Sequence, residues 1–188
     1  ERYGRAINIA YSTGISVENL YNQVGALKKV SMSEAGAGKV LVEALEFDEV
    51  GRVRAELLGN GMRRSTEYTT DSNRLKSISV MSHGEVVQDL RLSHDAVGNI
   101  ASRTDKPSML DEAFGYDELN RLTSVSTQGH EKMAVAFDAA GNIRNKSGVG
   151  NYEYCKQAGA TRLCAVGEGP AARSLAYDAS GNVVSYGD

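Results

Sequence analysis

Tryptophan is absent from this 188-residue sequence, proline occurs only twice and cysteine only twice. So little proline beside 20 glycines excludes a proline-rich linker and implies many tight turns that need positive φ. The two cysteines, Cys155 and Cys164, fit no metal-binding spacing. Charge of neither sign dominates: the formal net charge of −3 leaves no basic footprint for nucleic acid. Scattered cations such as Arg63, Arg64 and Arg74 are therefore assigned to a solvated face. No apolar run reaches the length of a membrane span, and the N-terminus does not read as a signal peptide. The sequence starts at Glu1 and not at methionine, so a fragment of a larger protein is expected. Hydrophobic residues at 41% and charged residues at 24% are ordinary for a globular chain, and the length allows one domain with a sizeable core.

What the sequence has is a repeat. YNQVGAL begins at Tyr21, FDEVGRV at Phe47, HDAVGNI at His94, YDELNRL at Tyr116, FDAAGNI at Phe137 and YDASGNV at Tyr177. A looser copy, YTTDSNRL, begins at Tyr68 and carries one extra residue. Successive starts lie 26, 21, 26, 22, 21 and 40 residues apart. The last step spans two periods, with a degenerate unit expected around Tyr154. A period of about 21 residues marks supersecondary units that bury their apolar faces only by stacking on neighbours.

Each position in the unit has a physical reading. The aromatic (Tyr21, Phe47, Tyr68, Tyr116, Phe137 or Tyr177, with His94 substituting once) ends an incoming strand. An aspartate follows (Asp48, Asp95, Asp117, Asp138, Asp178), whose carboxylate can accept backbone N–H groups further along, as in Asx-turns. Three residues later stands a glycine (Gly25, Gly51, Gly98, Gly141, Gly181), where a type I turn followed by a left-handed residue makes a G1 bulge. Asn120 holds that place in the Tyr116 unit, and asparagine is the non-glycine residue that best tolerates it. Asn99, Asn142, Asn182 or an arginine comes next, and an aliphatic residue opens the returning strand. Before the aromatics, residues alternate with period two, as in Met133, Val135 and Phe137 or Leu90, Leu92 and His94. A second turn per unit is marked by Asn60-Gly61, His83-Gly84 and Gln128-Gly129. The Glu- and Leu-rich stretch from Lys39 to Leu58 also permits an amphipathic helix, but Gly51 and the repeat phase of Phe47 favour strand.

Phrases such as FGYDELNRLTSVS, VAFDAAGNIRNKSGVGNYEY and LAYDASGNVVSYGD resemble the Rhs/YD repeats of bacterial Rhs toxins. They also resemble the C-components of insecticidal toxin complexes and, more distantly, animal teneurins. The resemblance implies an all-β fold: tandem antiparallel hairpins in a curved sheet, part of a spiralling shell. Residues 1–188 would form one repeat region of about eight units within a larger protein. In bacterial members the shell encloses a C-terminal toxic polypeptide, and a self-cleaving aspartyl activity near a DPxGL-like motif frees it. No such motif occurs here, so no protease residues carry over.

Other chemistry is weak. Aspartates that recur at every turn are there for the turn, not for catalysis. The DxxGN pattern lacks the dense oxygen ligands of a calcium loop. His83, His94 and His130 are scattered, and no G-x-S-x-G elbow occurs. AGAGK near Gly36 and GEGP near Gly167 lack phosphate-loop spacing and read as turns. No enzyme, cofactor or metal is expected. Cys155 and Cys164 flank Gly159-Ala160 symmetrically, which leaves two readings open: a cross-strand disulfide in an oxidising compartment, or two half-buried free thiols.

The leading expectation is a secreted or secretion-system-delivered shell segment that encapsulates and helps deliver a toxic domain. Its partners would be the rest of its own parent chain, with a delivery-system protein or surface glycan as further candidates, and no nucleic acid or membrane span. The alternative is a cell-surface adhesion module that binds carbohydrate or a receptor through exposed aromatics and turn tips.

Overall fold

A computed structural model describes residues 4–155 and 162–187. The chain forms two compact units, one of residues 1–98 and 103–110, the other of residues 99–102 and 111–188. The first holds β1 (Asn8–Ala10), β2 (Ile15–Tyr21), β3 (Leu27–Glu34), β4 (Ala37–Phe47), β5 (Val53–Leu58), β6 (Arg63–Tyr68), β7 (Leu75–Ser82) and β8 (Glu85–His94). β9 (Ile100–Asp105) and β10 (Leu110–Tyr116) straddle the division. The second unit continues with β11 (Leu122–Thr127), β12 (His130–Phe137), β13 (Ile143–Lys146), β14 (Gly150–Tyr154), β15 (Leu163–Gly167), β16 (Arg173–Tyr177) and β17 (Val183–Gly187). A single 3₁₀ turn, Gly169–Ala171, precedes β16, and no α-helix occurs among the described residues. The fold is all-β, a run of antiparallel hairpins.

In each unit consecutive strands pair antiparallel, from β1 with β2 to β7 with β8 and from β10 with β11 to β16 with β17. The helix-permissive stretch around Phe47 is the β4–β5 hairpin. Its Gly51 sits at φ 85°, a conformation no helix interior offers. AGAGK and GEGP are both turns: Ala35-Gly36 joins β3 to β4, and GEGP leads through the 3₁₀ turn into β16.

One irregularity recurs in phase with the repeat. Tyr21 pairs with Leu27 but Leu20 with Lys29, so Lys28 is an extra residue in the returning strand. The same one-residue shift beside the aromatic leaves Lys76, Thr123, Arg144, Cys164 and Val184 extra. Such a bulge bends a strand and increases its local twist at the same point of every repeat.

The two kinds of turn differ. At the aspartate turns a single left-handed residue closes the loop, glycine in most units, Asn120 at φ 60° and Asn73 at φ 56°. His83-Gly84 and Gln128-Gly129 instead have both central residues at positive φ, the two-residue I′ form whose twist matches that of the strands. Asn60-Gly61, grouped with them by sequence, is of the first kind. Only Gly61 is left-handed, and Leu58 both donates to Met62 and accepts from Gly61, each at 2.8 Å.

The core is thinner than composition implied. Ala44, Ala55 and Val80 are the buried apolar residues of the first unit, Val166 that of the second, and no large side chain is fully enclosed. Buried Glu56 faces Arg64 across β5 and β6 and forms an ion pair with it. Asp105, also buried, accepts the backbone N–H of Asp89 at 2.8 Å and the hydroxyl of Ser108 at 2.8 Å. Little core is available to fix these hairpins, so turn geometry has to.

Replacing Asn120 by valine should therefore destabilise the protein by about 1–2 kcal/mol, the left-handed penalty of a branched side chain. Asn120→Gly should lose clearly less, because it removes the backbone penalty and gives up only the exposed bond from Asn99. Urea unfolding of the two variants checks this, and equal loss in both would contradict the turn assignment.

Candidate functional site: a ladder of turns

In six of the turns the residue after the aromatic uses its side chain to accept its own turn's backbone. Asp48 Oδ1 accepts the N–H of Val50 at 3.1 Å and of Arg52 at 2.8 Å. Asp117 does the same with Leu119 and Arg121, and Asp178 with Ser180 and Asn182. Asp138 takes the N–H of Asn142 at 2.8 Å, and Asn22 plays the part for Val24 and Ala26. Asp95 is a variant that binds the N–H of Val97 and Gly98. In the longer Tyr68 turn, Thr69 Oγ1 replaces the carboxylate, accepting from Arg74 at 3.1 Å.

The second carboxylate oxygen meets the residue after the left-handed position. Arg52 Nε donates to Asp48 Oδ2 at 2.6 Å and Arg121 Nε to Asp117 Oδ2 at 2.7 Å. Asn142 and Asn182 donate their amides to Asp138 and Asp178 at 3.0 and 2.9 Å. These bonds shift the acid–base equilibrium. Partial desolvation opposes ionisation of Asp48, but the Arg52 N–H and guanidinium outweigh it and hold the carboxyl below its usual range. The Arg121 N–H does most for Asp117, and the side-chain amides of Asn142 and Asn182 do most for Asp138 and Asp178.

Arginine at this place also reaches forward into the next turn. Beyond Asp48, Arg52 lies 3.8 Å over the Tyr68 ring and donates through Nη1 and Nη2 to Asn73 O and Oδ1. Arg74 donates to Asp95 O at 3.1 Å and covers Gly98 so closely that a Cβ there would stand 2.7 Å from its Nη2. Arg121 lies over Phe137 at 4.4 Å, Arg5 over Tyr21 and Arg162 over Tyr177, each at 5.6 Å. Arg5 also donates to Gly25 O. Where the residue is Asn99, its amide donates to Asn120 Oδ1 at 2.9 Å. Partners in this series lie 15 to 24 residues apart in sequence, so the repeat period becomes a set of bonds.

The aromatic answers in the opposite direction. Tyr21, Tyr116 and Tyr177 donate their hydroxyls to the carbonyls of Ala6, Ile100 and Leu163, at 3.2, 2.9 and 2.8 Å. Each acceptor directly follows Arg5, Asn99 or Arg162. Tyr154 takes the corresponding place, ending β14 beside the bulge; burial raises its pKa, and the Asp138 carboxylate raises it further. Tyr154 is thus the aromatic of the degenerate unit. Cys155 stands in the aspartate place, its N–H donating to Arg162 O at 2.9 Å as Asp48 N–H does to Arg52 O. Cys155 and Cys164 are joined as a disulfide with Cα atoms 5.2 Å apart, while Gly159-Ala160 between them lies outside the described residues.

Sequence reading located the turn residues but took the residue after the glycine as merely Asn or Arg, and so missed the forward contact. Arg74, expected on a solvated face, is half-buried against the Asp95 turn, and Arg64 pairs with buried Glu56. The recoverable signal was the spacing, an arginine or asparagine about 16 residues before the next aromatic. His94 does hold the aromatic place and is half-buried. No group of three or more acidic, histidine or cysteine residues suited to a metal occurs among the described residues. Nor does any helix reach the length and apolarity needed to cross a membrane.

The architecture is therefore a tandem hairpin repeat, closed mostly by aspartate turns and tied turn to turn at this period. Sequence relatives agree: the chain is 25% identical over 181 residues to toxin subunit YenC1 of Yersinia entomophaga, covering 87% of this chain and 17% of that protein. It is 28% identical over 109 residues to toxin subunit YenC2 of the same organism, covering 50% of this chain and 11% of that one. The chain thus spans less than a fifth of the length of these relatives. Among solved structures, a TcdB2-TccC3-TEV crystal structure superposes with a TM-score of 0.64 at 17% identity, covering 94% of this chain and 9% of that one. A Photorhabdus luminescens Tc holotoxin pore gives 0.55 at 16% identity, covering 97% and 12%. No protein-family model matches. The chain thus has homologues among toxin subunits and structural neighbours among Tc toxin assemblies, in keeping with the Rhs/YD-repeat resemblance of its sequence.

Two measurements test the ladder. A double-mutant cycle on Arg121 and Phe137 should return a coupling of about 0.5–1 kcal/mol, and Arg52→Lys should lose most of the equivalent contact because a point charge cannot serve both turns. Separately, the depressed aspartate pKa values add stability that is fully present above the unfolded value of about 4 and is lost as pH falls through the folded value. Urea midpoints should thus fall below about pH 4. Asp138→Asn should flatten that fall; an unchanged acid limb would refute the assignment.

Proposed function

We propose that residues 1–188 form one repeat region of about eight units in the wall of a toxin-complex C-type subunit, a structural stretch that encloses and helps deliver a toxic polypeptide. The reading assigns no catalysis to these residues. Its partners are the neighbouring repeats of the parent chain and the enclosed polypeptide, and its setting is secreted. The observation that carries it is the forward reach of Arg5, Arg52, Arg74 and Arg121 into the next turn. A chain that ties each unit to its successor, with so few buried side chains, is suited to extend as a continuous wall.

Carbohydrate adhesion fits less well. Four of the repeat aromatics that would stack on a sugar, Tyr21, Tyr68, Phe137 and Tyr177, are occupied by guanidinium groups.

Limited proteolysis of the complete gene product tests the reading. The segment C-terminal to the repeats should be cut at least tenfold more slowly in the native particle than after the repeats are unfolded. Equal cutting rates, or saturable glycan binding by the intact protein that Tyr11 or Tyr186 substitutions abolish, would overturn it.

A further inference from the structure

Six turns share a side-chain acceptor that holds their own backbone, and Thr69 supplies one in the longer Tyr68 turn. The Tyr154 unit has Cys155 in that place, and sulfur is a weak acceptor. The backbone bond that closes its turn also spans more chain, from Cys155 to Arg162 where Asp48 to Arg52 is usual. A longer loop is entropically harder to close. Both deficits fall on the unit that has the covalent bond.

The position of the second cysteine matters as much. Leu163 pairs with Tyr154, and Cys164 is the extra residue of the bulge that follows. The disulfide therefore braces the Tyr154–Leu163 pair from both sides. Immediately before Cys164 lie the two residues on which the next turn rests. Leu163 O accepts the Tyr177 hydroxyl at 2.8 Å, and Arg162 covers the Tyr177 ring and approaches Gly181. Both cysteines are half-buried and not sealed, so a small thiol can reach them.

We propose that Cys155–Cys164 is a redox latch that replaces the aspartate lock in this unit and controls the docking of the Tyr177 turn. When oxidised, it holds Arg162 and Leu163 against Tyr177. A small dithiol reductant opens it by thiol–disulfide exchange: one thiolate attacks a cysteine sulfur, the S–S bond breaks, and a mixed disulfide forms. The second thiol then resolves it, leaving two cysteine thiols and the cyclic disulfide of the reductant. The Asp48, Asp117 and Asp138 turns contain no sulfur and keep their bonds. Reduction thus loosens one defined end of the repeat series, and only there. This inference stands apart from the proposed wall function and can fail without it.

Amide hydrogen exchange on the full chain, with and without dithiothreitol in native buffer, tests the latch. Reduction should accelerate exchange at Cys155, Gly181 and Asn182 about tenfold or more while leaving Gly51 and Asn120 unchanged. A Cys155→Ala/Cys164→Ala variant, which adds no side-chain acceptor to the turn, should match the reduced protein and ignore dithiothreitol. Arg162→Ala in the oxidised protein should loosen Gly181 and Asn182 but not Cys155, which separates the docking contact from the staple. Three results would overturn the proposal: no disulfide by alkylation and mass measurement of the unreduced protein, acceleration confined to Cys155, or equal acceleration in every turn.

Discussion

A guanidinium group held between two successive turns is the contact on which the rest of this structure depends. Arg52 gives Nε to the carboxylate of its own turn and both Nη groups to Asn73 of the next, with its flat face on Tyr68. Arginine suits this because its five donors are fixed in one plane and its charge is permanent and weakly hydrated. Fixing Nε on Asp48 fixes the direction of the rest, so the forward contact costs little additional side-chain entropy. The aspartate is thus more than a turn former: it aims the arginine.

That division of labour explains the alternation between arginine and asparagine at the same place. Asn142 and Asn182 satisfy their own aspartates, but the short side chain ends there. Asn99 finds a third solution, bonding across to Asn120, which is itself the left-handed residue of its turn. Every described link joins backbone or side-chain atoms at the turn to the unit beside it. No link needs a deep core, which is consistent with four buried apolar residues among the described ones.

Much of this was legible from residues alone, and the reason is local. Aspartate, a left-handed glycine and period-two alternation are properties of a few consecutive residues, so the hairpins, their phase and the exceptional Asn120 could be read directly. The size of the core was misjudged because composition counts apolar residues without saying whether anything covers them. Val24, Val50 and Leu119 sit at turn tips and are 82%, 72% and 70% exposed. Asn60-Gly61 was grouped with His83-Gly84 and Gln128-Gly129 because asparagine-glycine serves two geometries, and here Leu58 closes the longer one through its bonds to Gly61 and Met62. The forward arginine contact was missed because it joins residues well apart in sequence, and only its spacing before the next aromatic hinted at a register that folding completes.

The bulge beside each aromatic completes the mechanism of propagation. One extra residue in the returning strand, at Lys28, Lys76, Thr123, Arg144 and Val184, recurs next to the pair that aromatic and aliphatic residues form. A bulge placed once would be a local defect. Placed beside the aromatic in one unit after another, it adds local twist at a corresponding point of each of those hairpins. The arginine then meets the same geometry at each step, so one short side-chain device can be reused along the chain. Where the sequence loses the aspartate, as at Cys155, the bulge persists at Cys164, and the covalent bond joins those two positions. The bulge is retained where the acceptor is lost, so it does not depend on the carboxylate.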